Sequence, residues 1–277
     1  MAPSRYPGPI CEVKDWYESR DDVFPRVRFP LPGPVGFPAV AGQSPAPMLV
    51  TATGDCSFLN PRASGTVTAP KAAFDRLRKK SGAATISPPK QIASHTWPDK
   101  SSSSALEQEI QIDGQTIKVI RPTDADASGK NLPTIVQVAE ALRAIPAKQR
   151  THTTTVFLNP RAHPDTTSKG TIAAEAWAGK IILYPMPREQ SQNDFDNRLM
   201  HESGHNYQES LWKSGQGAQP WGDAVKADQR RPSPYAWSGD GEDFCEFNIL
   251  YNTTQGTPCE ATAMQLYPNR WKVRQAY

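Results

Sequence analysis

Two histidines lie four residues apart in the segment His201-Glu202-Ser203-Gly204-His205, and a glutamate directly follows the first of them. On an α-helix, this spacing places both imidazoles one turn apart on the same face. Two imidazoles so placed suit neighbouring ligands of a tetrahedral Zn²⁺ ion. The motif therefore constrains this region to be helical, and we predict a helix capped by Asp194 that continues to Trp212.

Glu202 follows the first histidine and would point beside the bound metal. A carboxylate there can take a proton from a metal-activated water and pass it to a leaving amine. The alternative is a structural helix whose two histidines are satisfied by neighbouring polar groups. The chain has only five histidines, so the motif is informative beyond composition.

A catalytic zinc takes three protein ligands and keeps one position open, so a third ligand is expected. No histidine follows His205, which leaves acidic candidates. Glu242 and Glu246 lie one turn apart on a predicted helix capped by Asp240, and they suit a metal ligand and a hydrogen-bond partner for a ligating histidine. A solvated helix face is the alternative for this pair. The acidic candidates are Glu209, Asp223, Asp228, Asp240, Glu242, Asp243, Glu246 and Glu260.

The motif, together with Tyr235 seven residues before Glu242 and the stretch Glu242-Asp243-Phe244-Cys245-Glu246-Phe247, resembles the gluzincin metallopeptidases, most closely the anthrax lethal factor-like catalytic domain. The resemblance covers about 105–277. It implies that Glu242 is the third zinc ligand, that Tyr235 donates a hydrogen bond to the oxyanion and that Glu246 supports a ligating histidine. Cys245 departs from the family pattern, which has a small residue there.

The resemblance also implies a fold class. We expect an α+β zincin-like domain over 105–277, with a small mixed sheet above the motif helix and a helical subdomain below it. Within it we predict a hairpin over 109–120 that turns at Asp113-Gly114, a helix over 132–148, and strands over 153–158 and 174–184. The last of these is the expected edge strand for substrate.

Residues 1–104 form the second predicted part, a proline-rich and loop-rich segment. Its prolines, in runs such as 30–34 and 45–47, disfavour helices and strands. One short helix is expected at about 69–80, started by Thr68 and Pro70. Ser101–Ser104 is expected to be a linker.

Charge and cysteine content restrict the partners. The net charge of +3 is too small to indicate nucleic-acid binding, and no apolar window is long enough to span a membrane. No secretory signal is recognisable at the N-terminus.

The four cysteines lack metal-binding spacing, and we expect a Cys245–Cys259 disulfide in an oxidising compartment.

These observations favour a zinc-dependent endopeptidase acting on a protein or peptide. The proline-rich lead-in and the compact catalytic tail resemble toxin domains carried by type VI secretion spike proteins of the VgrG type. That resemblance implies a bacterial effector that leaves the cell without a signal, acts in the periplasm of a target bacterium, and meets a carrier or an immunity protein. The alternatives are a zinc amidase acting on cell-wall cross-links and a non-catalytic, zinc-stapled binding module.

Overall fold

The computed structural model describes residues 14–15, 55–59, 65–127, 131–166, 171–215 and 217–277. Within these ranges the protein is a mixed α+β structure, as predicted. The two proline runs and Cys11 lie outside the described residues. Because most of 1–64 does so too, the division of the chain at residue 104 stays a prediction.

The described strands are β1 Lys14–Asp15, β2 Thr85–Ile86, β3 Lys90–Thr96, β4 Ser102–Ile112, β5 Gln115–Pro122, β6 Thr155–Leu158, β7 Thr171–Ile172, β8 Ala174–Trp177 and β9 Lys180–Leu183. Seven of them form a mixed sheet in the order β2-β4-β5-β6-β9-β8, in which β3 also pairs with β4. The pairs β5–β6 and β6–β9 are parallel and the other pairs of this sheet are antiparallel. The strands β1 and β7 pair with each other separately.

The predicted hairpin turn at Asp113-Gly114 is confirmed, since both residues have positive φ values of 53° and 79°, as a two-residue hairpin turn requires. The first strand of this hairpin, β4, already begins at Ser102. The predicted linker Ser101–Ser104 is therefore wrong. Pairing with β3 satisfies the backbone there, and Trp97 Nε1 donates a hydrogen bond to Ser103 Oγ at 2.8 Å. The sheet therefore crosses position 104.

The segment predicted as one strand over 174–184 is instead a hairpin of β8 and β9. Its turn is Ala178-Gly179, with φ values of 49° and 78°. The pattern did not reveal this turn because alanine rarely adopts positive φ. Of the two strands of this hairpin, only β8 lies at an edge of the sheet. The predicted edge strand is therefore confirmed for Ala174–Trp177.

The described helices lie mainly in the C-terminal half. Two short 3₁₀ helices at Ser57–Leu59 and Tyr235–Ser238 accompany them. The α-helices are α1 Lys71–Arg78, α2 Asp124–Ala127, α3 Ile135–Ala144, α4 Ala147–Arg150, α5 Gln192–Lys213, α6 Ala218–Asp228, α7 Asp240–Thr254, α8 Glu260–Leu266 and α9 Pro268–Ala276. None of the helices in the described part is long and apolar enough to cross a membrane.

Two predicted helices are present with changed ends. The helix expected over 69–80 is α1, although Pro70 occupies its cap position and no side chain caps it. The helix expected over 132–148 is divided into α3 and α4. Ile145 takes an extended conformation before Pro146, because proline disfavours a helical residue in front of it.

The long helix α5 lies between the sheet and the C-terminal helices. It packs against α3, against β8 and β9 of the sheet, and against α7. A single core joins these layers; it includes Val119, Val156, Ala176, Ile181, Leu142, Leu199, Met200, Phe244 and Phe247. Burial of both sides fixes the orientation of the motif on α5.

A disulfide joins Cys56 to Cys259, 203 residues apart, so the predicted Cys245–Cys259 pair is wrong. Cys245 is a buried free thiol in α7, where its sulfur faces Gly204 of α5. Cys259 instead lies at the start of α8. The sequence could not reveal this pairing, because several connectivities are open to four cysteines.

We expect Cys259→Ser to lower the free energy of unfolding by about 2–5 kcal/mol, because the crosslink constrains a very long loop in the unfolded chain. Cys56→Ser should have the same effect, and the double variant should add little to it. Denaturant unfolding without reductant measures these changes. Peptide mapping that found Cys245 joined to Cys259 would contradict the assignment.

Candidate metal centre

The start of α5 is defined by a reciprocal cap. Ser191 occupies the cap position, its side chain accepts a hydrogen bond from the backbone N–H of Asp194, and the Asp194 side chain accepts from Ser191 N. Asp194 was predicted as the cap itself, and that prediction is wrong by one turn. The backbone N–H groups of Ser191 and Asp194 therefore both have hydrogen-bond partners at the helix start. These contacts fix the start of α5 about two turns before the motif.

Three ligand-type atoms converge where α5 meets the first turn of α7. The Nε2 atoms of His201 and His205 are 3.2 Å apart. Glu242 Oε2 lies 3.0 Å from His201 Nε2 and 3.4 Å from His205 Nε2. All three side chains are buried. The structure therefore brings together the three residues predicted as metal ligands.

The triangle formed by the Nε2 atoms of His201 and His205 and by Glu242 Oε2 has the dimensions expected for three ligands of a tetrahedral metal ion. Bonds of about 2.0–2.1 Å to nitrogen and oxygen place neighbouring tetrahedral ligands roughly 3.3–3.4 Å apart. The observed separations of 3.0 to 3.4 Å are close to that spacing. Two imidazoles and a carboxylate are also a usual donor set for a catalytic zinc.

Glu242 lies in the first turn of α7. Gly239 occupies the cap position of this helix, so the predicted Asp240 cap is wrong.

Burial raises the pKa of Glu242, but the charge of His205 and a hydrogen bond from His201 outweigh this effect and hold the pKa well below its usual range. An ionised carboxylate is the form that binds metal.

The other acidic candidates have partners elsewhere, apart from Glu246. Asp228 and Asp243 pair with Arg270, and Asp240 pairs with Arg231. The remaining pairings are Glu209 with Lys213, Asp223 with Gln219 and Glu260 with the backbone of Gly256.

Cys245 is an alternative third ligand. Its sulfur and ligand nitrogens of His201 and His205 all lie within 4.8 Å of one another, and this buried set could hold a metal ion. We favour Glu242, whose oxygen is within 3.4 Å of both imidazole nitrogens.

Glu246 lies one turn after Glu242 and contacts the His201 ring. Its Oε1 lies 2.8 Å from His201 Nδ1, the nitrogen that faces away from the triangle. Its Oε2 accepts a hydrogen bond from the backbone N–H of Val67. A carboxylate in this position can fix the tautomer and the orientation of an imidazole; the role predicted for Glu246, support of a metal-binding histidine, stays a prediction.

Residues 65–69, which we call the 65–69 strap, cross the site and were missed by the sequence analysis. Gly65 O accepts a hydrogen bond from Tyr235 N at 2.7 Å. Val67 N donates to Glu246, and Ala69 N donates to Asn197 Oδ1 at 2.8 Å. No local sequence signal could have found the strap, since its contacts join positions more than a hundred residues apart.

Glu202 is fully buried beside His201. Neither carboxylate oxygen has a hydrogen-bond partner among the described residues. Burying a carboxylate without partners is costly, which makes Glu202 a candidate for a functional role. Burial raises the pKa of Glu202 to about 7, which suits a general base that works near neutral pH.

Tyr235 begins the 3₁₀ helix that precedes α7. Its ring centroid is 5.9 Å from that of His201, and the side chain is buried. Burial raises its pKa, and the nearby charges of Glu242 and Glu202 raise it further. The phenol therefore stays protonated and can act as a hydrogen-bond donor at the site.

The buried side chain of Gln149 connects α5 to α7 through hydrogen bonds, and the sequence did not predict this role. Its Nε2 donates to Met200 O at 2.9 Å and to Ser203 Oγ. Its Oε1 accepts from Asn248 Nδ2 and Asn252 Nδ2 at 2.7 and 2.8 Å. Fully satisfied buried networks of this kind fix relative helix positions.

Comparisons with known protein families, with characterised proteins and with solved structures found no match for this chain.

The ligand assignment predicts different outcomes at two neighbouring positions of α7. Glu242→Ala should weaken zinc binding by at least tenfold, about 1.4 kcal/mol or more, because one of three ligands is lost. Cys245→Ala, the matched control, should keep about one zinc per chain. Competition with a chelator measures both affinities. Strong loss of zinc in Cys245→Ala, with retention in Glu242→Ala, would reverse the assignment.

Proposed function

We propose that this chain is a zinc-dependent peptidase with a zincin-like catalytic domain. The observation that carries the proposal is the unpartnered, buried Glu202 carboxylate beside the triangle of His201, His205 and Glu242. The layer order also supports it, with a small sheet above α5 and helices below it. The resemblance of the motif region to gluzincins points the same way.

His201, His205 and Glu242 would hold the metal and leave a fourth position for water or substrate. Zinc fits this donor set better than calcium or magnesium, which prefer oxygen ligands. When bound, zinc lowers the pKa of water and polarises a carbonyl group.

The remaining steps belong to side chains of the protein. Glu202 accepts the proton of the attacking water on a carboxylate oxygen and later delivers it to the leaving amine. Tyr235 donates a hydrogen bond from its phenol to the carbonyl oxygen as negative charge develops there. Glu246 keeps the His201 ring oriented throughout.

The substrate backbone would lie along β8. This strand forms the edge of the sheet and packs directly against α5. An extended peptide can add to such an edge through main-chain hydrogen bonds. Binding of this kind places a peptide bond above the motif without demanding particular side chains.

A non-catalytic module with a structural zinc is the second candidate, favoured by the position of Cys245. With Cys245 added to the triangle, four protein ligands would close the site. Glu202 argues against this candidate, because a structural zinc has no use for an unpartnered buried carboxylate next to its ligands.

Turnover separates the two candidates. Glu202→Gln should abolish peptide hydrolysis while zinc stays bound, because the base does not bind the metal. Tyr235→Phe should lower kcat by about 10²–10³-fold with zinc and fold retained. Assays on a peptide library, with zinc measured in each variant, test both. Unchanged hydrolysis in Glu202→Gln would exclude the mechanism.

We further propose that the protein is a bacterial effector that acts in the periplasm of a target cell. The Cys56–Cys259 disulfide supports an oxidising place of action. Expression in a bacterial host with an added periplasmic signal should arrest growth, whereas Glu202→Gln and the cytosolic form should not. Equal growth of all three strains would contradict the proposal.

A further inference from the structure

The second imidazole of the proposed metal centre has an amide group next to the ring nitrogen that faces away from the triangle. His205 Nδ1 lies 3.3 Å from the Oε1 atom of Gln208, three residues later on α5. The other ring nitrogen, Nε2, lies 3.2 Å from His201 Nε2 and 3.4 Å from Glu242 Oε2. The two nitrogens of His205 therefore have different surroundings, with the ligand-type atoms at Nε2 and an amide oxygen at Nδ1.

The amide oxygen of a glutamine only accepts hydrogen bonds. When such an oxygen faces Nδ1 of an imidazole, the proton stays on Nδ1 and the lone pair of Nε2 is left for a metal ion. Partners of this kind also fix the orientation of the ring, and replacing them typically weakens metal affinity by about 10–100-fold. The contact between Gln208 and His205 thus favours the tautomer that the proposed metal centre requires.

The Gln208 side chain is buried between α5 and the first turn of α7. A Cβ atom at Gly241 would lie 3.1 Å from Gln208 Nε2 and 3.4 Å from its Oε1, which is a tight contact. The amide therefore occupies the space that a side chain at Gly241 would need. Gly241 directly precedes Glu242, so the amide lies next to the turn that supplies the predicted carboxylate ligand.

The two imidazoles differ in the charge of these partners. Glu246 presents a carboxylate oxygen to His201 Nδ1 at 2.8 Å, whereas Gln208 presents a neutral amide oxygen to His205. A carboxylate in this position raises the basicity of an imidazole. The amide supplies an acceptor of the same geometry without adding another carboxylate to the site.

We propose that Gln208 is a positioning residue of the metal centre: its Oε1 accepts a hydrogen bond from His205 Nδ1 and so directs His205 Nε2 to the metal. The inference rests on the metal-dependent peptidase function proposed above. Gln208 does not bind the metal itself, so its loss should weaken zinc binding while all three ligands remain.

Two substitutions at this position separate the acceptor from the bulk of the side chain. Gln208→Leu removes the oxygen at similar size, and we expect zinc affinity to fall about 10–100-fold. Gln208→Glu keeps an oxygen acceptor and should restore most of the affinity. Competition with a chelator measures both. The visible absorption of the cobalt-loaded protein should change in Gln208→Leu, because the imidazole loses its fixed orientation, and should return toward that of wild type in Gln208→Glu.

Two control variants accompany this pair. Gln265→Leu replaces an exposed glutamine of α8 and should keep the wild-type affinity for zinc. Cys245→Ala removes the thiol whose sulfur lies within 4.8 Å of a ring nitrogen of His205, and it should also keep that affinity. Loss of affinity in Gln208→Leu together with retention in both controls would assign the effect to the amide oxygen.

Wild-type zinc affinity in Gln208→Leu would overturn the assignment. Equal losses in Gln208→Leu and Gln208→Glu would also overturn it, because packing and not the acceptor would then be responsible. If Gln208→Leu does not fold, Gln208→Asn, whose amide is one carbon shorter, takes its place in the same comparison.

The measurement also separates this inference from the proposed function. A wild-type protein that binds no zinc would contradict both. A protein that binds zinc with the expected dependence on Gln208 and cleaves no peptide would contradict the peptidase proposal alone.

Discussion

The close contact between α5 and α7 is the interaction on which the site depends. A Cβ atom at Gly204 would lie 3.1 Å from Cys245 Sγ and 3.4 Å from Cys245 Cα, which is a tight contact, so the glycine allows α5 and α7 to approach closely. Cys245 lies one turn after Glu242, and its position against Gly204 brings the Glu242 carboxylate to His201 and His205. The arrangement of His201, His205 and Glu242 thus depends on the packing of α5 against α7.

Two further sets of contacts hold the same helix pair. Gln149 joins α5 to α7 through a buried polar network, and the 65–69 strap ties Glu246 and the Tyr235 backbone from the opposite end of the sequence. The Cys56–Cys259 disulfide anchors the chain nine residues before the strap begins. The site is therefore built by residues on both sides of position 104, although the sequence pattern alone favoured a catalytic unit over 105–277.

The parts of this arrangement that the sequence predicted are local. The spacing of His201 and His205 requires only a helix, and the placement of Glu242 one turn before Glu246 requires only a second one. The parts that it did not predict depend on distant partners. Ser102–Ser104 form a strand because β3 pairs with them, and Cys56 meets Cys259 across 203 residues. No period or spacing in the sequence encodes such contacts, because hydrophobic periodicity reports the faces of an element and not its neighbours.

In the proposed site, two imidazoles and one carboxylate hold the metal and leave one position open. X-ray absorption at the zinc edge of the loaded protein tests this arrangement most directly, because sulfur and nitrogen or oxygen ligands differ in distance and scattering. We expect only nitrogen and oxygen neighbours at about 2.0–2.1 Å. A sulfur neighbour at about 2.3 Å, lost on replacement of Cys245, would show a closed site and contradict the catalytic interpretation.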